Sequence, residues 1–167
     1  AVAGIMGGLD SEVTDATTEI LLESACFDPV SIRRTARKLN IPSEASYRFE
    51  RGVDPDGVDI AMERAVQLMV EYAGATLVEG GIDAYPGRRL ELVLPLRIQR
   101  VRDLLGMDLS AEKITGYLQQ IEFGVAVSND SSALLVTVPS FRVDIEREID
   151  LIEEIARLVG FNKIPTT

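Results

Sequence analysis

Histidine is absent from the 167 residues. That excludes Ser-His-Asp and Cys-His catalysis within the chain, and it removes the commonest partner of cysteine in a structural zinc site. Cysteine occurs once, at Cys26. An internal disulfide is therefore excluded, and the composition suits a reducing cytoplasm. No run approaches the ~18 consecutive apolar residues that a membrane span needs. The apolar opening is short, broken by glycine and without a basic region, so it does not read as a secretory signal. Basic residues are the minority, 17 Lys and Arg against 27 Asp and Glu, for a net charge of −10. A surface that grips nucleic acid as a whole is excluded, and any RNA contact would use local basic patches.

What remains is ordinary for a globular protein, with 46% hydrophobic and 26% charged residues. The length allows one medium domain or two small ones. The chain opens without Met and closes on Pro-Thr-Thr, and it reads as a piece of a longer protein.

The pattern predicts an α+β protein in two parts, 1–86 and 87–167, divided at Pro86-Gly87-Arg88-Arg89. In the first part, residues 1–9 read as a short strand entering a glycine turn. Leu21 to Phe27 reads as a strand that Asp28-Pro29 breaks. Ser31 is placed to cap a helix through Leu39, and residues 40–46 read as a loop. A longer amphipathic helix follows over about 56–73, and one or two strands over 76–85. The second part reads as strand Leu90–Leu94, helix Ile98–Leu105, helix Ala111–Ile121, a hairpin over Val125–Val138 with Asn and Asp in its turn, and a last acidic helix. Two helices, a hairpin and a helix suggest a winged-helix-like arrangement. DNA-binding proteins use that shape, and so do protein-contact modules. Helix 111–121 carries one base, Lys113, set against Glu112 and the following Glu122, so no basic face exists to enter a major groove.

The last helix has an apolar arc of Ile149, Ile152, Ile155, Ala156 and Val159. Asp150, Glu153 and Glu154, spaced i, i+3 and i+4, lie together on the opposite arc, and Asp144 precedes the first turn. Four carboxylates so close would repel one another strongly unless a cation joined them. A hard divalent ion such as Mg²⁺ is one reading. The other is a solvated acidic face favoured by the helix dipole, with Arg157 neutralising part of it.

Glu23 is the odd residue of the first part. In a strand, Leu21, Glu23, Ala25 and Phe27 share a face. The carboxylate there is at a rim, paired, or in a polar pocket with a use, because burial without a partner is costly. Cys26 alternates away from it and is expected to be a small core residue. Arg33, Arg34, Arg37 and Lys38 crowd one short helix. They read equally as phosphate contacts or as a solvated face. Arg48, Glu50 and Arg51 read as structural ion pairs.

The run Phe-Arg-Val-Asp-Ile-x4-Asp-Leu-Ile-Glu-Glu-Ile-Ala-Arg-x2-Gly-Phe-Asn-x-Ile-Pro resembles a signature of the β subunit of bacterial phenylalanyl-tRNA synthetase. Gly-Ile-Met-Gly-Gly, Glu-Ile-Leu-Leu-Glu-Ser-Ala-Cys-Phe-Asp-Pro and Ser-Glu-Ala-Ser-Tyr-Arg-Phe-Glu-Arg-Gly-Val-Asp-Pro are similar to the later part of the editing module of that subunit. The two stretches come in the family's order and together cover nearly the whole chain. The resemblance implies Mg²⁺ held by Asp144, Asp150, Glu153 and Glu154 and shared with the catalytic α subunit. It also implies an editing pocket for tyrosine misattached to tRNA(Phe), shaped or read by Gly7, Glu23, Ser43 and Ala45; Ser43 stands where relatives often have Thr. Glu23 would accept from the tyrosine hydroxyl, and Gly7 would let the backbone approach the ring. The implied parent is an ATP-dependent, cytoplasmic phenylalanine-tRNA ligase, a heterotetramer binding tRNA(Phe). This chain alone is expected to be inactive in aminoacylation and impaired in editing. The competing reading is a non-catalytic protein-interaction module with a vestigial pocket.

Overall fold

The computed structural model describes residues 1–88, 90–129 and 132–165. It divides into two compact units, Ala1–Arg88 and Arg89–Thr167. The architecture is α+β, with helices in both units and, among the described residues, one antiparallel sheet. No helix among the described residues is long and apolar enough to cross a membrane.

In the first unit, the chain opens with a turn closed by a bridge between Val2 and Met6. Helix α1 runs Pro29–Leu39, α2 Glu44–Phe49 and α3 Gly57–Ala73. The cap of α1 is Asp28, whose carboxylate accepts from the Ser31 backbone N–H at 2.7 Å, with Pro29 at the first helical position. The Asp-Pro pair expected to break a strand thus starts a helix, because proline's fixed φ and missing N–H suit that position. Asn40 ends α1 in the left-handed region, which asparagine tolerates. The loop expected over 40–46 is shorter, since Ser43 caps α2 and exchanges hydrogen bonds with Ser46.

The strands expected over 1–9, 21–27 and 76–85 are not formed. Alternating apolar residues make a strand only where a neighbouring strand takes up the backbone N–H and C=O groups, and none pairs with them among the described residues. Leu21 and Ile82 are each 99% exposed. Cys26 is exposed rather than in the core, with its thiol 3.6 Å from the Val53 carbonyl; without a pleat, alternation does not turn it inward. The buried core of this unit is Ile5, Ile32 and Ala36, backed by Val2, Phe27, Ile41 and Phe49. The 17-residue α3 buries none of its residues fully. Gly4 closes the opening turn at φ +68°, where a Cβ would lie 2.6 Å from Ile32 Cδ1. Only glycine meets both conditions there.

The second unit runs β1 Leu92–Arg97, α4 Ile98–Leu105, α5 Ala111–Gln120, β2 Gly124–Val127, β3 Ala133–Val138 and α6 Glu148–Val159. The first strand begins two residues later than expected. Of the predicted hairpin turn, Asp130 and Ser131 lie outside the described residues. The sheet order is β1-β3-β2, antiparallel throughout, with Leu94 opposite Val136 and Leu96 opposite Leu134. Pro95 fits because β1 is an edge strand, where a missing donor leaves no interior ladder bond broken. Leu96, Val101, Ile114, Leu118, Leu134 and Val136 are fully buried against Leu151 and Ile155 of α6. Ile149, expected on the apolar arc, is 46% exposed, and Leu151 is buried in its place. The true arc of Leu151, Ile152, Ile155, Ala156 and Val159 is rotated toward Leu151 and leaves Ile149 at its edge.

Truncation distinguishes the buried face of the second unit from the exposed face of α3. Leu118→Ala or Leu151→Ala is expected to cost about 2–5 kcal/mol in urea unfolding of the chain. Ile60→Ala, at a 70% exposed position of α3, is expected to stay within about 0.5 kcal/mol. Equal losses at both places would contradict this packing.

Candidate functional site

The carboxylate end of the second unit is built where β3 leads through a turn into α6. Arg142 donates its backbone N–H to the Pro139 carbonyl at 3.0 Å, fixing that turn. Its guanidinium grips Asp144 bidentately, Nε to Oδ1 at 2.9 Å and Nη2 to Oδ2 at 2.6 Å. The same Nη2 lies 3.1 Å from Glu154 Oε1, and the cation sits 5.4 Å above the Phe123 ring. Arg157 holds the other oxygen of Glu154. Asp150 Oδ2 accepts from the backbone N–H groups of Glu146 and Arg147 at 3.0 and 2.8 Å. It thereby satisfies backbone donors at the start of α6. Glu153 is exposed.

These partners set the charges. The bond from Arg142 holds the Asp144 carboxyl below its ordinary value. The backbone N–H of Glu146 does the same for Asp150. Burial works to raise Glu154, but the hydrogen bonds from Arg157 and Arg142 outweigh it and leave the group lowered. Arg142 is itself raised, chiefly by the bond to Asp144. A second ion pair, absent from the sequence reading, ties β1 to α6. The Arg97 backbone N–H and Nε donate to Glu148 Oε1 at 2.9 and 3.0 Å, and Nη2 to Oε2 at 2.5 Å. Arg142 was likewise not singled out. No spacing announces it, because the turn that starts at Pro139 is what brings it to Asp144 and Glu154.

In the first unit, the Ser43 hydroxyl donates to the Ile5 carbonyl at 2.5 Å and accepts from the Ser46 N–H at 3.0 Å. Ala45 is half-buried in α2, while Gly7 and Glu23 are exposed. A Cβ built on Gly7 would meet nothing within 4 Å, so the packing of this chain does not require glycine there. An open cleft of about 270 Å³ is lined by Ala36, Arg37, Asn40, Pro42, Ser43, Ser46, Tyr47 and Glu50. It takes in Ser43 and leaves out Gly7, Glu23 and Ala45. Arg33 donates to the Glu50 carbonyl at 3.3 Å, whereas Arg34, Arg37 and Lys38 are exposed along α1. The ion pairs expected around 48–51 include Arg48 with Glu44 at 3.7 Å and Arg51 with Glu50 at 3.3 Å. Arg51 also stacks on Tyr47 at 3.4 Å.

Residues 1–74 match the family model of the B3/4 domain. Residues 94–161 match that of the tRNA synthetase B5 domain. Over 99% of its length, the chain is 53% identical to a phenylalanine–tRNA ligase beta subunit from Desulfotalea psychrophila, covering 20% of that protein. Proteins of the same name from Moorella thermoacetica and Geobacter sulfurreducens are 50% and 49% identical over 100% of the chain, which covers 20% and 21% of them. The chain belongs to the phenylalanine–tRNA ligase beta-subunit family. It spans about a fifth of the length of these relatives and carries a B3/4 domain followed by a B5 domain.

The B5 domain is where the family resemblance implies Mg²⁺. The donor chemistry suits that ion, since Asp144, Asp150, Glu153 and Glu154 offer only oxygen. Their arrangement does not. Asp144 and Glu154 are held on arginines and Asp150 on backbone N–H groups. Among the described residues, no three of His, Cys, Asp and Glu converge closely enough to hold a metal. The cation that joins the carboxylates here is a guanidinium.

Each lowered carboxyl stabilises the folded state above its unfolded pKa, about 3.9 for Asp and 4.3 for Glu. That contribution is lost as pH falls through the lower folded value. Glu154 and Glu148, 12% and 21% exposed, are less screened by solvent than Asp144 at 60%. The urea midpoint of the chain is expected to be flat above about pH 5 and to decline below about pH 4. Glu154→Gln is expected to flatten part of that decline, and a midpoint constant down to about pH 2.5 would contradict the assignment.

Proposed function

We propose that the chain serves in phenylalanyl-tRNA synthesis as part of a phenylalanine-tRNA ligase. Its first unit would contribute to proofreading tyrosine misattached to tRNA(Phe), and its second to contact with the α subunit. The observation that carries this is identity of about one half along the full chain to proteins of that name. ATP use and aminoacylation belong to the parent enzyme.

The chemistry supports a separate proofreading site. Tyrosine exceeds phenylalanine by one hydroxyl, and an apolar pocket rejects such an addition weakly. A second site that accepts a hydrogen bond from that hydroxyl selects it directly. Glu23 suits the role because the fold gives its exposed carboxylate no hydrogen bond or ion pair among the described residues. The open space beside Gly7 leaves room for an aromatic ring to approach the backbone. Ser43 is a positioning residue in this reading, since its hydroxyl already anchors α2 to Ile5. With no histidine in the chain, the attacking water would be oriented by backbone groups or by the tRNA. Arg34, Arg37 and Lys38 are open to phosphates. A Mg²⁺ shared with the α subunit enters this reading only if Arg142 first releases its carboxylates.

The interaction-module reading has one observation in its favour: the described cleft leaves out three of the four pocket residues. Grafting decides between the two. The chain replaces its counterpart in the Desulfotalea psychrophila beta subunit, which is purified with its α subunit. Hydrolysis of tyrosyl-tRNA(Phe) is expected to fall at least about tenfold in Glu23→Ala, with phenylalanylation unchanged. Undiminished hydrolysis in the variant would overturn the role of Glu23, and none in the graft itself would favour the interaction module.

A further inference from the structure

The carboxylate end of α6 carries a feature that its acidic sequence does not announce. Asp144 has both oxygens on Arg142. Glu154 has Oε1 on Arg142 and Oε2 on Arg157. Two carboxylates thus face two guanidinium groups, and the net charge of this foursome is zero. The arginine that bridges them is not a loose surface side chain. It is 17% exposed, it shares one Nη2 between two carboxylates, and its Cζ lies 5.4 Å over the Phe123 ring. Its backbone is fixed by the bond to Pro139. A planar fork of donors matches carboxylates in a geometry that a point charge cannot copy.

We propose that Arg142 is the resident cation of this end of the B5 domain, occupying by its guanidinium the position between Asp144 and Glu154 that a divalent ion would need. A metal and Arg142 then compete for the same oxygens. The chain by itself binds divalent ions weakly, and any partner that promotes metal binding there must draw Arg142 away from Asp144 and Glu154. Arg142 acts through these two side chains and so positions them. Asp150 is outside the competition, because its bonds to the Glu146 and Arg147 N–H groups do not involve Arg142. The inference stands on contacts within the second unit and does not depend on the proofreading reading of the first.

The test is binding of Mn²⁺, an oxygen-seeking stand-in for Mg²⁺, to the full chain by calorimetry and by electron paramagnetic resonance of the free ion. The unaltered chain is expected to bind with Kd above about 1 mM, and Arg142→Gln about tenfold more tightly or better. Adding Asp144→Asn to Arg142→Gln is expected to abolish the gain. Circular dichroism reports whether each variant folds. Should Arg142→Gln not fold, Arg142→Lys keeps the charge, loses the fork, and is expected to gain about threefold. Binding by the unaltered chain tighter than about 0.1 mM would overturn the proposal. So would a folded Arg142→Gln with no gain, a gain that survives Asp144→Asn, or, where Lys is the variant that folds, binding no tighter than the starting chain.

Discussion

The seating of α6 on the sheet is the contact on which the second unit depends. Leu151 and Ile155 are fully buried and join a cluster that runs through Leu96 of β1 and Leu134 and Val136 of β3. Removing that face from water is the large stabilising term. It also decides the electrostatics, because a helix with one face fixed inward has no choice about where its other residues stand. Glu154 is set beside the buried arc at 12% exposure, where an unpaired carboxylate would be costly. Arg142 and Arg157 supply the opposite charges. At the other end, Glu148 opens α6 and receives Arg97 from the end of β1. That pair joins, at the surface, the two elements that the core joins inside.

The first unit has no such seat. An 11-residue α1 and a 6-residue α2 close around Ile5 and Ile32. The much longer α3 buries no residue fully. Polar contacts do more of the holding: Ser43 to Ile5, Ser24 to the Val58 carbonyl at 2.9 Å, and Arg33 to Glu50. Such bonds contribute about 1 kcal/mol each, so they set geometry more than they secure it. The contrast explains where the sequence could be read. In the second unit, helical periodicity, the Ser110 cap and Gly106 at the end of α4 are local signals that agree with the packing. Helix Ile98–Leu105 forms over the residues expected. In the first unit, the apolar alternation of 21–27 was a true pattern without a neighbouring strand to complete it. Periodicity states a preference for a partner; it does not supply one.

Site residues were legible in kind and less so in arrangement. The acidic set on α6 was plain from its spacing. That Asp144 and Glu154 share one guanidinium was not, because it depends on how the turn after β3 brings Arg142 back over Phe123. Gly7 drew the attention that its neighbour Gly4 turned out to need: Gly4 has the positive φ and the close side chains. Ile149 was placed with the apolar residues by angle alone, which overlooks that the burial of Leu151 turns the helix so that Ile149 falls at the edge of the arc.

A residue is open to a ligand to the extent that the fold has not already used its polar atoms. By that measure the four residues proposed for the pocket separate. Ser43 has donated its proton to Ile5 and accepted from Ser46, so its hydroxyl is committed to the start of α2. Ala45 has only its backbone and a methyl to present. Glu23 and Gly7 are the two to which the fold assigns no work: one is an exposed carboxylate, the other a backbone with open space where a side chain would stand. The same measure applied to α6 gives the opposite result. Asp144, Asp150 and Glu154, which look like ligands in the sequence, are the ones already held. Glu153 alone is left without a hydrogen bond or ion pair among the described residues. A tyrosine hydroxyl would meet no competitor at Glu23, whereas a cation arriving at Asp144 and Glu154 must first displace an arginine.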